Sequence, residues 1–294
     1  MKILAWILVF LLLSGCQVVP LEPQQPVSGE PAEEKSAAEV QQTDPEQSAE
    51  EQSGYEPVSL VSLDGIDVTA VGYDADTAWG PTLTLELQNE TEEDLLFWAD
   101  YAKSDGVMCN PYWNCTVAAG ETVRSQVFWS GEMLQKSGIA ALGELVLELE
   151  ICHSADNAVV LFSDTVSLCL KTENTSMQTP PVWEDFPEQA LAEGDGFDIA
   201  AVGFTQNEQP VLTLRLNNRT DTKLLCTVTD VTVNGELCDP EWGAVVMTDA
   251  ILYSELMLQG AEPGDAVVMT LSVYNPDDRT ADALFSGEVA VSLP

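Results

Sequence analysis

Basic residues are scarce in this chain: 10 Lys and Arg stand against 49 Asp and Glu, a formal net charge of −39. Such a surface repels nucleic acid and anionic headgroups, so neither is an expected partner. Histidine is scarcer still, with His153 alone, and this removes most metal and acid–base schemes. His153 follows Cys152 directly, so on a strand the two side chains point to opposite faces and form no thiolate–imidazolium pair. There is no G-x-S-x-G elbow, no H-E-x-x-H pair and no phosphate-cradling glycine loop. A calcium loop with alternating Asp/Asn and a closing Glu is also missing, and Asp277-Asp278 carries little weight in so acidic a chain. Two carboxylates held about 5–9 Å apart hydrolyse glycosides. No such pair stands out here, so an envelope hydrolase is the minor alternative and the expectation is no enzyme and no cofactor.

Long apolar runs are lacking as well. The stretch Ile3–Leu13 falls short of the roughly 20 residues that span a bilayer. It comes after a single cation and before small residues, the layout of a secretory signal over residues 1–15. Its end, Leu13-Ser14-Gly15-Cys16, resembles the lipobox of bacterial lipoproteins. The resemblance implies cleavage before Cys16, lipid on its sulfur, and a mature protein held on the extracytoplasmic face of the cell membrane. Residues 16–57 are rich in Glu, Gln, Pro and Ser and cannot bury enough apolar surface to fold. They read as a disordered stalk with a reach of roughly 35 Å or more.

Beyond the stalk the chain repeats itself. "GIDVTAVGY" (Gly65–Tyr73) returns as "GFDIAAVGF" (Gly196–Phe204), and "TLTLELQNETEEDLL" (Thr82–Leu96) as "VLTLRLNNRTDTKLL" (Val211–Leu225). "LFSDTVSL" (Leu161–Leu168) returns as "LFSGEVAV" (Leu284–Val291). Two units are therefore expected, at 58–170 and 195–294, with a second linker at 171–194 that contains Pro180-Pro181. Within each unit the apolar period is two: Leu83, Leu85 and Leu87 alternate with Thr and Glu, as do Leu212, Leu214 and Leu216 with Thr and Arg. Asn-x-Thr after the second strand and Asn234-Gly235 mark turns, the latter a type I′ hairpin. Ser130–Gly138 and its counterpart near Ser254–Gln259 read as helical turns. The sum is an all-β fold of two tandem immunoglobulin-like antiparallel β-sandwiches after a disordered linker, with a barrel as the alternative. These strand-and-turn patterns resemble immunoglobulin-like repeats in surface lipoproteins of Gram-positive gut bacteria, whose function is unassigned.

Cys-Asn/Asp-Pro-x-Trp also occurs twice, in "MCNPYWNC" from Met108 and "LCDPEW" from Leu237. It reads as a structural corner in which Asx-Pro starts a turn, an indole covers the sandwich end, and Cys109 and Cys238 are small buried groups. A ligand corner used twice is the competing reading. Spacings of five residues and more do not suit zinc. If Asn234-Gly235 is a two-residue turn, Cys238 lies opposite residue 231, about 17 Å along the strand from Cys226. That is too far for a disulfide. Cys152 and Cys169 fail in the same way, whereas Cys109 and Cys115 could close a small loop.

Aromatics concentrate in the first unit. Trp98 and Tyr101 have Thr227 and Asp230 in their places in the second, so the shared fold does not require them. Alternation puts Phe97, Ala99 and Tyr101 on one face and Trp98 on the other. Trp98, Tyr101 and Trp113 are the candidate ligand-binding residues, for a cell-wall glycan or a protein partner. The expected function is a non-catalytic surface binding or spacer module, anchored to the membrane through its N-terminal lipid.

Overall fold

The structure is a computed structural model in which residues 55–170, 186–206, 209–238, 240, 242–278 and 281–294 are described. Residues 1–54, with the expected signal, Cys16 and most of the expected stalk, and the Pro180-Pro181 stretch lie outside the described residues.

The first repeat contains β1 (Val58–Leu63), β2 (Ile66–Asp74), β3 (Thr82–Asn89), β4 (Leu95–Ser104), β5 (Val107–Met108), β6 (Trp113–Val117), β7 (Thr122–Phe128), the short helix α1 (Gly131–Lys136), β8 (Glu144–His153) and β9 (Asp156–Cys169). The second contains β10 (Gln189–Gly194), β11 (Phe197–Thr205), β12 (Val211–Asn218), β13 (Leu224–Val233), β14 (Glu236–Leu237), β15 (Trp242–Val246), β16 (Ala250–Met257), β17 (Ala266–Tyr274) and β18 (Phe285–Ser292). The all-β character comes from the period of two. In β3, Leu83, Leu85 and Leu87 are buried while Thr84, Glu86 and Gln88 reach the surface. Each buried leucine contributes about 1.5–3 kcal/mol by leaving water, and only the pleated register buries all three together.

Each repeat is a sandwich of two layers. In the first, a sheet ordered β1-β2-β3-β7 faces β9-β8-β4-β6; in the second, β10-β11-β12-β16 faces β18-β17-β13 with β14 and β15 at its edge. Two core clusters result, one around Phe97, Trp129 and Leu147, the other around Leu214, Val228 and Leu271.

The Asn-x-Thr turns are more than punctuation. Asn89 is fully buried, and its amide donates to the carbonyls of Glu93, Val117 and Ala118 at 2.9, 3.0 and 3.1 Å. Its Oδ1 accepts from the Thr91 N–H and hydroxyl. Asn218 repeats the pattern with Thr222, Val246, Met247 and Thr220. One side chain thus ties the turn to the strand of the opposite layer.

Three expectations change. Residues 189–194, expected in the linker, form β10, which pairs with β11 from Gln189↔Ala201 to Gly194↔Phe197. Small and polar residues hide this strand, although it mirrors β1. Tyr55, expected in the stalk, packs on the first core, as Phe186 does on the second. The helical turn expected near Ser254–Gln259 is strand instead, because β16 pairs with β12 along its whole length, Val211↔Met257 to Asn218↔Ala250.

The repeats are joined through backbone. The hairpin between β4 and β5 turns at Asp105-Gly106, both with positive φ (48° and 82°). Its tip lies against the edge of β16: Ile251 N donates to Gly106 O at 2.9 Å, and Ile251 pairs with Val107 in parallel. A nine-stranded sheet therefore runs through both repeats. Met108 at the tip belongs to the second core, and the buried Met247 N–H donates to its sulfur at 3.4 Å. Lys103 Nζ donates to the Thr248 and Asp249 carbonyls at 2.7 and 3.3 Å.

Candidate functional site

The structure places Trp98, Tyr101 and Trp113 in three different settings. A bulge falls between Ala99 and Tyr101, where Ala99 pairs with Leu149 and Tyr101 with Glu148. Asp100 is the extra residue, so alternation shifts and Tyr101 joins Trp98, not Phe97, on the outer face. Tyr101 is not open to a ligand: Lys223 of the second repeat sits 5.5 Å from its ring centroid and pairs with Glu148. Burial pushes its phenol up, with Asp100 and Glu148 adding to the shift. Trp98 stands half-exposed opposite Asn114 and Glu150. Trp113 is a core residue, 7% exposed, with its indole N–H on the Ser125 hydroxyl at 2.9 Å. These three residues form no common platform.

The Cys-Asn/Asp-Pro-x-Trp corner is built as a structural device in the first repeat. Cys109 N donates to Ala102 O at 2.8 Å, and Asn110 Oδ1 accepts from Ala102 N at 3.1 Å, which closes the turn. The capping indole belongs to Trp129, whose N–H donates to Cys109 O at 2.7 Å. The second copy departs from the expected burial: Cys238 is half-exposed. Cysteines 109, 115, 152, 169, 226 and 238 are all free, including the Cys109–Cys115 pair. Burial pushes the Cys109 and Cys226 thiols up to about 12, so neither is a nucleophile near neutral pH.

Sequence reasoning missed a cleft of about 630 Å³ between α1 and the outer face of β11, β12 and β16. The helix supplies Met133, Gln135 and Lys136; the sheet supplies Thr213, Tyr253 and Glu255. Lys136 pairs with Glu255 at 3.0 Å and with Glu132 at 3.3 Å, so its charge is balanced. Burial pushes the Tyr253 phenol up, opposed by Arg215 and assisted by Glu188. Hydroxyls, one amide and a ring flank one ammonium shared by two carboxylates, and this chemistry suits an uncharged ligand rich in hydroxyl groups over an anionic one.

Three aromatics, also missed, are exposed on segments tied to Trp129: Trp79 at 80%, Tyr112 at 96% and Phe128 at 53%. Gly80, next to Trp79, packs so closely on the Trp129 carbonyl that a Cβ there would collide with it. Tyr112 lies three residues beyond Cys109, and Phe128 precedes Trp129. The second repeat has Glu208, Glu241 and Met257 in their places, so the shared fold does not require these rings. That substitution pattern was the signal available in the sequence.

Among the described residues, no three His, Cys, Asp or Glu side chains gather as a metal site would need, and no helix is long and apolar enough to cross a membrane. The fold defines a doubled all-β sandwich. No family model matches the chain, and no curated protein matches it either.

Proposed function

We propose that the chain is a non-catalytic, lipid-anchored surface protein whose doubled sandwich holds a binding cleft for neutral carbohydrate beyond the membrane. The inter-repeat cleft carries this reading. Its two walls come from different repeats and are bridged by the Lys136–Glu255 ion pair. The lipobox resemblance and the acidic stalk supply the anchor and the standoff, and the strongly acidic surface disfavours charged anionic glycans.

The anchor and the cleft are tested separately. Cys16→Ser is expected to move the full chain from the membrane to the soluble fraction, and retention in the membrane would remove the lipid anchor. The soluble Cys16→Ser chain is then applied to a glycan array, where binding to neutral oligosaccharides is expected. Tyr253→Ala should weaken that binding about tenfold, equivalent to roughly 1.4 kcal/mol. Binding that survives Tyr253→Ala but is lost in Trp98→Ala would transfer the function to the outer face of β4.

A further inference from the structure

The two copies of the cysteine–proline corner are packed differently, and the difference has the shape of one side chain. In the first repeat the indole of Trp129 is fully buried against the corner, and Cys109, 1% exposed, is covered with it. The second repeat has the same backbone there. Trp129 N donates to Pro81 O at 3.0 Å, and Leu258 N to Pro210 O at 2.8 Å; Cys238 N donates to Val231 O at 2.7 Å, as Cys109 N does to Ala102 O. Leu258, however, has neither a ring nor a side-chain N–H. Cys238 and Pro240 are half-exposed in consequence, whereas Cys109 and Pro111 are buried. A pocket of about 460 Å³ opens between Pro210, Cys238, Pro240, Met257 and Leu258.

We propose that this pocket is a binding site for an indole ring carried by a small molecule, seated as Trp129 is seated in the first repeat. The ring N–H donates to the Cys238 carbonyl, and the ring faces lie against the two prolines and the Met257 thioether. The first repeat supplies the template for both the hydrogen bond and the apolar contact. The described lining offers two prolines, a thioether and an aliphatic side chain as contact surface for an aromatic ring. Pro210 and Pro240 are rigid walls, and methionine sulfur packs well at aromatic edges. Met257 is 58% exposed, so the ring enters from solvent without any part of the fold opening.

The test uses the full chain and indole itself, with Cys238 as the reporter. Alkylation by iodoacetamide is followed at each cysteine by peptide mass spectrometry. Indole is expected to slow alkylation of Cys238 saturably and to leave the exposed Cys169 unchanged. Leu258→Trp, which places the chain's own indole in the pocket, should slow Cys238 alkylation without ligand and abolish the response to indole. Trp129→Leu should produce the converse, exposing Cys109 to alkylation that added indole suppresses. A Cys238 rate indifferent to indole in the parent protein would overturn the proposal. So would an equal response in Leu258→Trp, and the parent comparison stands even if Trp129→Leu does not fold.

Discussion

Asn89→Ala is expected to cost about 3–5 kcal/mol of stability, among the largest effects of any single substitution in the first repeat. The alanine removes donors from three buried or half-buried carbonyls and acceptors from Thr91 in one step. Each carbonyl left dry costs about 1–3 kcal/mol, offset where water can enter. Asn218→Ala should behave alike in the second repeat, where the same amide reaches Thr222, Val246 and Met247. Asn89→Asp should be at least as damaging, because it turns an oxygen toward carbonyls that need a donor. Urea unfolding monitored by circular dichroism checks all three. A loss below about 1 kcal/mol for Asn89→Ala would mean that the amide only decorates the turn.

Met108→Asp is expected to separate the repeats. Met108 is 1% exposed, belongs to the core of the other repeat, and accepts a hydrogen bond from Met247 N through its sulfur. The second core around it is apolar, and the cation at the junction, Lys103, is already held by the Thr248 and Asp249 carbonyls, so burying a carboxylate there costs about 3 kcal/mol or more. The tip of the hairpin would leave the edge of β16 and expose Tyr101 and Val146, which now pack on the second core. Calorimetry should show one cooperative transition in the parent and two in the variant. A single, unshifted transition in Met108→Asp would contradict a packed junction. The same variant should abolish any ligand binding by the cleft, whose two walls it disconnects.

The strands were legible because burial of one face imposes alternation, and Leu83–Leu85–Leu87 has no other way to stay dry. The hairpin at Asn234-Gly235 was legible because both residues carry positive φ (51° and 82°). The Cys238–Val231 pairing results from it, and with it the separation of Cys226 from Cys238. The bulge at Asp100 left no mark, since aspartate sits there without a glycine to flag it, and so Tyr101 was assigned to the wrong face. The junction was equally hidden. Met108 and Leu237 occupy matching positions on matching hairpins, yet one is buried and the other 70% exposed. Only a partner surface distant in the chain distinguishes them. The cleft has the same origin: Gln135 and Tyr253 line it from opposite walls although no local pattern links them.

The docking of hairpin tip on strand edge has a direction, and that direction limits its reuse. Among the described residues, the tip with Leu237 and the comparable border, β7, are left without this kind of junction. In principle they could couple chain after chain into a filament. The residues oppose it: Thr232 stands where Lys103 supplies the cation, and Glu236 and Thr122 stand where Val107 meets Ile251. Each added step would bring the Glu236 carboxylate to the border without the cation that Lys103 supplies in the existing junction. The junction between the repeats thus rests on residues that the second copy of the hairpin does not carry.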